Sequence, residues 1–189
     1  MLLVTKKMSP SQNKCFELLK KYDFPDKKLR HVTLVSEVAK FLGVEIKKKR
    51  PDLKINVSLL VAAGLLHDID KNIPGREGES HPFTGVRVLK EEGYGEVAEV
   101  VSKHSLEAFL NPENLPKVWE EKILALSDKM VKNEIITVDE RYRLWREENI
   151  PEQNAVLDAT YPLLKNLEQE VFGIIEMNPE DVGRKFKNL

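Results

Sequence analysis

The pattern of apolar and polar positions is helical along almost the whole chain and shows no convincing series of strands. Proline and glycine clusters mark the breaks between helices, as in the loop over residues 70–80. The predicted helices cover residues 10–21, 27–50, 57–67, 82–92, 95–104, 117–134, 137–148 and 152–175, with a short one after Asn178. The chain is therefore predicted to be all-α.

The helix predicted from Val57 to His67 is apolar on nearly every face, which is typical of the central helix of a bundle. With 189 residues and 41% hydrophobic content, the chain can bury one good core. The helical signal weakens beyond Asp128. We expect a helical domain over residues 1–134 and a C-terminal helical extension over 135–189, packed on the same core. Three roles stay open for the extension: to cap the pocket, to supply substrate contacts such as Arg141 or Arg143, or to form a dimer interface.

The composition of the chain limits the kinds of partner that the protein is expected to bind. Thirty basic residues against thirty-one acidic ones give a net charge of −1, which favours neither a nucleic-acid polymer nor a membrane surface. The single cysteine fits a reducing compartment, and no segment approaches the ~20 apolar residues of a membrane span. We expect a cytoplasmic protein that binds a small molecule; the pattern leaves room for a homodimer.

Polar residues interrupt the apolar faces of five of these predicted segments. The chain's four histidines all lie between residues 31 and 104, in the order H…HD…H…H, and an aspartate follows on a later helix. Each sits at a core-facing position of its helix. Several buried imidazoles and carboxylates pointing into one interior need a shared partner, because each alone is costly to desolvate. The residues concerned are His31, His67, Asp68, His81, His104 and Asp128.

A metal centre is the simplest partner for this set. His67 and Asp68 are about 100° apart on an ideal helix, but both can reach one cation where the helix unwinds. His31 and Asp128 would complete a four-ligand set of nitrogen and oxygen with open positions for water, which favours a catalytic metal. If Asp68 bridges, His81 and His104 can hold a second ion. Two divalent ions with only two carboxylates leave positive charge, which suits hydrolysis of a phosphoester.

These residues carry a family resemblance. The chain resembles the HD superfamily of metal-dependent phosphohydrolases, in its six-ligand H…HD…H…H…D subset, over about residues 29–132. The segment 67–71, HDIDK, resembles the HD-x-x-K signature, and 81–85, HPFTG, resembles H-P-x-x-G. The resemblance implies an HD-type helical bundle in which His31, His67, Asp68 and Asp128 bind one metal and Asp68, His81 and His104 bind the other.

The resemblance also indicates how substrate is held. Lys71 matches the family's lysine and would bind a substrate phosphate as a point charge, so that Asp68 and Lys71 are the predicted catalytic residues. Arg76, in the following loop, is a second candidate for phosphate binding. The sequence departs from many relatives at Asp70, where they carry a small residue. An ion pair between Asp70 and Lys71 is favoured over a role for Asp70 as general acid or base.

The sequence thus predicts a metal-dependent phosphohydrolase that acts on a small, nucleotide-like phosphoester through a metal-activated hydroxide. The expected cofactors are two divalent transition metal ions from among Fe, Mn, Co, Ni and Zn. Two alternatives stay open. One is an HD-type diiron oxygenase that uses the same ligands to activate O₂, and the other is a nucleotide sensor without catalysis.

Overall fold

A computed structural model describes residues 9–148 and 150–186, so the outermost parts of the two predicted regions, 1–8 and 187–189, lie outside the described residues. The described chain is all-α, with no strand among its elements. Its α-helices are α1 (Gln12–Lys21), α2 (Asp26–Lys49), α3 (Val57–Leu66), α4 (Phe83–Glu91), α5 (Gly95–Val101), α6 (Trp119–Lys129), α7 (Val138–Glu147), α8 (Pro151–Ile175) and α9 (Pro179–Lys185). Two short 3₁₀ turns, Ile69–Asn72 and Leu106–Leu110, complete it.

Two predicted helices are shorter than expected, and the difference bears on the site. The helix predicted to run through residue 104 ends at Val101, where the ring of His104 and the hydroxyl of Ser102 bond to carbonyls of the last turn. The helix predicted to run to residue 134 ends at Lys129, since the chain reverses through a bridge between Val131 and Ile135. Helical periodicity continued past both ends, so the sequence pattern alone did not reveal them.

Helix α3 is the centre of the bundle, as its apolar character predicts, and it packs closely against α2. The contact depends on Gly64: a Cβ there would lie 2.5 Å from the Cα of Ser36. The Ser36 hydroxyl donates a hydrogen bond of 2.9 Å to the Val61 carbonyl, which links the two helices. This close approach brings the middle of α2 beside the C-terminal end of α3, where His67 lies.

The C-terminal helices pack on the same core. Helix α8 contacts α2, α6 and α7. Tyr142 of α7 is fully buried, and its hydroxyl lies 2.8 Å from that of Thr160 on α8. Packing of this kind holds α7 in place over the end of α6. None of the helices in the described part of the chain combines the length and apolar character needed to cross a membrane.

Candidate metal centre

The structure brings all six predicted metal ligands together. His31 comes from α2, His67 caps α3, Asp68 follows it, and Asp128 lies on α6. His81 directly precedes the residue that caps α4, and His104 lies just beyond α5. All but the fully buried His67 line a cleft of about 450 Å³. The convergence predicted from the apolar stripes is therefore present, although two of the histidines stand on loops instead of helices.

One part of the site, the inner cluster, consists of His31, His67 and Asp128. The Asp128 Oδ1 atom lies 3.1 Å from His31 Nε2 and 3.5 Å from His67 Nε2. The imidazole of His67 is completely shielded from solvent. All three residues offer ligand atoms within 4.8 Å of one another, which is close enough to share one ion.

The outer cluster consists of Asp68, Asp70 and His81. Asp68 Oδ1 lies 3.6 Å from His81 Nε2, and these three residues again offer ligand atoms within 4.8 Å of one another. His104 joins the two clusters, because it forms a third such group with His67 and Asp68, and its Nε2 lies 3.1 Å from that of His81. Asp68 is thus placed to face both sides of the site.

Each histidine is oriented by a partner on its Nδ1 side. His67 and His104 have Nδ1 at 2.8 and 2.7 Å from the carbonyl oxygens three residues earlier, and His31 has Nδ1 at 3.3 Å from the Lys132 carbonyl. The Nδ1 of His81 lies 3.0 Å from an Asp70 carboxylate oxygen. Acceptors at Nδ1 favour the tautomer with the proton there, which leaves Nε2 with a free lone pair. All four rings therefore turn a lone pair toward the centre.

This arrangement fits a cation. His67 Nε2 is buried and has no hydrogen-bond partner among the described residues. In the tautomer set by the Nδ1 partners, the Nε2 lone pairs of His81 and His104 face each other, and that of His67 faces carboxylate oxygens. Acceptors that face acceptors repel one another unless a proton or metal ion lies between them. Nitrogen and carboxylate donors suit a divalent transition metal.

The carboxylates are held in the ionised form. Burial opposes the charge on Asp68, but two neighbouring cations, His67 when it is protonated in the absence of a metal and Lys71, outweigh it and lower the pKa of its carboxyl group. Burial likewise opposes the charge on Asp128, and the ammonium group of Lys129 beside it holds its pKa well below the usual range. Burial lowers the pKa of His104 well below its ordinary value, so this imidazole is neutral, as a ligand must be.

Two lysines contact these carboxylates. Lys71 Nζ lies 3.1 Å from Asp68 Oδ1 at the mouth of the cleft, where the sequence predicts a phosphate-binding lysine. Lys129 is almost fully buried and donates hydrogen bonds to Asp128 Oδ2 at 2.5 Å and to the His104 carbonyl at 2.8 Å. The sequence analysis missed Lys129, but a signal was there: Ala125 and Leu126, one turn earlier, place it on the apolar face of α6.

The predicted ion pair between Asp70 and Lys71 is wrong. Lys71 pairs with Asp68, while the buried carboxylate of Asp70 accepts from His81 Nδ1. The reason is the 3₁₀ turn over 69–72, which places residue 71 beside residue 68, three positions earlier, and directs Asp70 inward. A carboxylate behind a histidine orients the ring and strengthens it as a ligand.

Not every predicted substrate contact reaches the cleft. Arg76 lies in the following loop, where its largely exposed side chain pairs with Glu91 at 3.1 Å, and it does not line the cleft. Its role in phosphate binding stays a prediction that the geometry does not favour. The cleft is lined instead by Arg141 and Trp145 of α7.

Comparison with known proteins agrees with this geometry. The family model of the HD domain matches residues 29–159, beyond the boundary expected at residue 134. A tRNA (cytidine(56)-2'-O)-methyltransferase of Thermoplasma volcanium is 32% identical over 135 residues, which is 66% of this chain and 37% of the relative. The chain thus spans little more than a third of that relative's length. No solved structure matches the chain. HD domains bind divalent metal ions, and since the family match covers well over half of the residues, this chain belongs to the HD domain family.

Proposed function

We propose that the protein is a metal-dependent phosphohydrolase that acts on a small, nucleotide-like phosphoester. The observation that carries the proposal is the convergence of four histidine Nε2 atoms and two ionised carboxylates at one end of a cleft that also contains Lys71. The same convergence of ligand atoms supports a resident pair of divalent ions. A cytoplasmic location belongs to the proposal, since one buried cysteine fits a reducing compartment.

The inner ion would be held by His31, His67 and Asp128 with Asp68, and the outer ion by His81 and His104 with the same Asp68. Bound divalent ions supply Lewis acidity toward phosphoryl oxygens and lower the pKa of water. The residues of the chain supply the orientation of the ligands and their ionised state. The Nδ1 partners fix the four rings, and the ionised Asp68 and Asp128 keep the donors ready without a change of protonation.

Lys71 is suited to hold the phosphate. Its ammonium group is at the open side of the cleft and has one carboxylate neighbour, so two of its three donors are left for a substrate oxygen. The cleft volume of about 450 Å³ lies within the range of sites that hold small molecules. A substrate of nucleotide size fits this space.

The methyltransferase name belongs to a relative of which this chain covers 37%, and methyl transfer is not part of the proposal. That name does concern a nucleic acid, which favours a nucleotide-like substrate over other phosphoesters.

The test is turnover by protein loaded with a defined metal. Metal-stripped protein is reconstituted with Mn²⁺, Co²⁺, Ni²⁺ or Fe²⁺, its metal content is measured, and release of phosphate is followed from p-nitrophenyl phosphate and a panel of nucleotides. We expect metal-dependent hydrolysis that chelation removes and that the variant His67→Gln lacks. The variant Cys15→Ala, which alters a buried residue outside the cleft, serves as the control and keeps activity.

Two results would contradict the proposal. One is protein that carries stoichiometric metal and releases no phosphate from any substrate, while still binding a nucleotide; this outcome assigns a sensor. The other is O₂ consumption by the iron form with oxidation of an organic substrate, which assigns a diiron oxygenase.

A further inference from the structure

Arg141 is the unexplained group in the cleft. Its Nε is buried without a hydrogen-bond partner, and among the described residues its guanidinium has neither a hydrogen bond nor an ion pair. Burial lowers the pKa of Arg141, and the carboxylates of Asp128, Glu148 and Asp68 act against that shift, so the group lies within electrostatic reach of the metal ligands. A guanidinium stays charged in proteins, and a half-buried one without partners has the capacity to bind an anion.

The fold holds this side chain in position. The guanidinium carbon lies 4.5 Å from the ring centroid of Trp145, one helical turn further along α7. Trp145 packs in turn against Tyr142, which is anchored to α8 through Thr160. Stacking on an indole orients the planar group and leaves its edge donors open. Because these neighbours are aromatic and uncharged, they orient the cation without neutralising it.

The other charged residues of the cleft indicate which kind of ligand the Arg141 guanidinium is suited to bind. Within the described residues, each of three lysines in the lining has a carboxylate partner, Lys71 with Asp68, Lys129 with Asp128 and Lys132 with Glu148. Arg141 and two lysines have none, while Glu107 is the one lining carboxylate left over. The two lysines, Lys27 and Lys28, lie in the first turn of α2, where the helix dipole also favours an anion.

The scissile phosphate does not need these cations. On the proposed function, two divalent ions with two carboxylates leave enough positive charge for one phosphate, and Lys71 adds to it. Arg141, Lys27 and Lys28 together exceed Glu107 by two positive charges. That surplus matches a second phosphate group, and the planar fork of Arg141 fits two of its oxygens.

We propose that Arg141, with Lys27 and Lys28, forms a subsite for a second phosphate, so that the substrate is a nucleotide with two phosphate groups. The inference rests on the proposed function for the chemistry at the metal centre, but the subsite itself consists of residues that bind no metal. Arg141 acts there as a residue that determines specificity.

The experiment compares three probes that share one base: AMP, ADP and adenosine 3′,5′-bisphosphate. Calorimetry at a temperature low enough to suppress turnover measures their binding to the metal-loaded protein, and steady-state kinetics measures their hydrolysis by the same form. We expect at least one of the doubly phosphorylated probes to bind about tenfold more tightly than AMP, as one hydrogen-bonded charge pair would give. The variants Arg141→Lys and Arg141→Gln should lose that advantage, so that the ratio between the affinities for the doubly phosphorylated probe and for AMP falls toward one.

Arg143 and Arg146 of the same helix provide the matched controls. The first pairs with Glu140 and Glu147, the second with Asp158, and neither lines the cleft. Arg143→Lys and Arg146→Lys should keep the preference for two phosphates. A merely structural role for Arg141 would lower the melting temperature of its variants and leave the preference intact, and that result overturns the inference. So does equal binding of all three probes by the unaltered protein. Because binding is measured without turnover, failure of the hydrolase proposal is a separate result.

Discussion

The inner and outer clusters use the same kinds of ligand but are built differently. His31, His67 and Asp128 stand on helices or at a helix cap, within the packed core of α2, α3 and α6. Asp68, Asp70 and His81 stand on a 3₁₀ turn and the loop that follows it. Exposure separates one histidine of each cluster, because the side chain of His67 is 0% exposed and that of His81 is 33% exposed, whereas the carboxylates of Asp68 and Asp70 are as buried as that of Asp128 or more so.

The difference predicts unequal metal sites. Ligands on packed helices are fixed before a metal binds, so little conformational entropy is lost on binding. A ligand on a loop must be ordered, and part of the binding free energy is spent on that ordering. We expect the inner site to bind its ion more tightly and the outer site to exchange its ion readily. Four predictions test this asymmetry, beginning with the change that should affect both clusters.

Asp68→Asn should have the largest effect. Asp68 is within reach of His67 and His104 on one side and of His81 on the other, and it also holds Lys71. Replacing this charged ligand with an amide removes a shared donor, so we expect loss of the outer ion, weaker binding of the inner ion and activity near background. Metal content by mass spectrometry and phosphate release measure both effects.

The control is Asp52→Asn, which changes an exposed carboxylate paired with Arg50 away from the cleft. It should leave metal content and turnover unchanged. If Asp68→Asn keeps both ions at normal affinity, Asp68 does not join the clusters.

A pair of variants, His31→Gln and His81→Gln, should separate the clusters. Each removes one imidazole, and each should weaken its own site by at least about 100-fold, the upper end of what loss of a supporting partner alone costs. His81→Gln should retain one tightly bound ion, whereas His31→Gln should lose the tight site. Titration against a competing chelator gives the two affinities. Retention of the tight ion by His31→Gln, with its loss from His81→Gln, would reverse the asymmetry.

The directions of the side chains could be predicted from the sequence for the inner cluster but not for the outer one, and the reason is physical. Helical periodicity assigns a direction to each side chain, so His31 and Asp128 could be placed on core-facing stripes. No such rule covers the residues after His67, where the 3₁₀ turn sets the directions of Asp70 and Lys71. The expected ion pair between them was wrong on that account. Arg141 and Arg143 were both open as substrate contacts from the sequence, and only Arg141 lines the cleft, since their placement depends on the packing of α7 against α8.

Asp70→Asn should weaken the outer site only. The amide oxygen can still accept the Nδ1 proton of His81, but the negative charge that strengthens the imidazole as a ligand is gone. We expect the affinity for the outer ion to fall about tenfold and that for the inner ion to stay the same. Chelator competition measures both. Asp70→Ala, which removes the hydrogen bond as well, should show the larger loss, and an equal fall at both sites would mean that Asp70 supports the fold and not the outer cluster.

Arg87→Gln should give the smallest effect. This variant tests whether the mobility of the loop limits the affinity of the outer site for its ion. The loop before His81 is fastened to α4 by Glu79, whose carboxylate accepts from Arg87 Nε at 2.8 Å and from the Arg76 backbone N–H at 3.1 Å. This pair is partly exposed, so its loss should lower the outer affinity by only about threefold. Lys90→Gln breaks an exposed ion pair of the same helix, between Lys90 of α4 and Glu99 of α5, and involves no residue of the loop, which makes it the matched control. If Arg87→Gln lowers the affinity for the outer ion and Lys90→Gln does not, order in the loop sets the strength of the outer site. If neither variant changes it, His81 is held by Asp70 and its own packing, and the asymmetry between the clusters then comes from the solvent exposure of His81 itself and not from the loop.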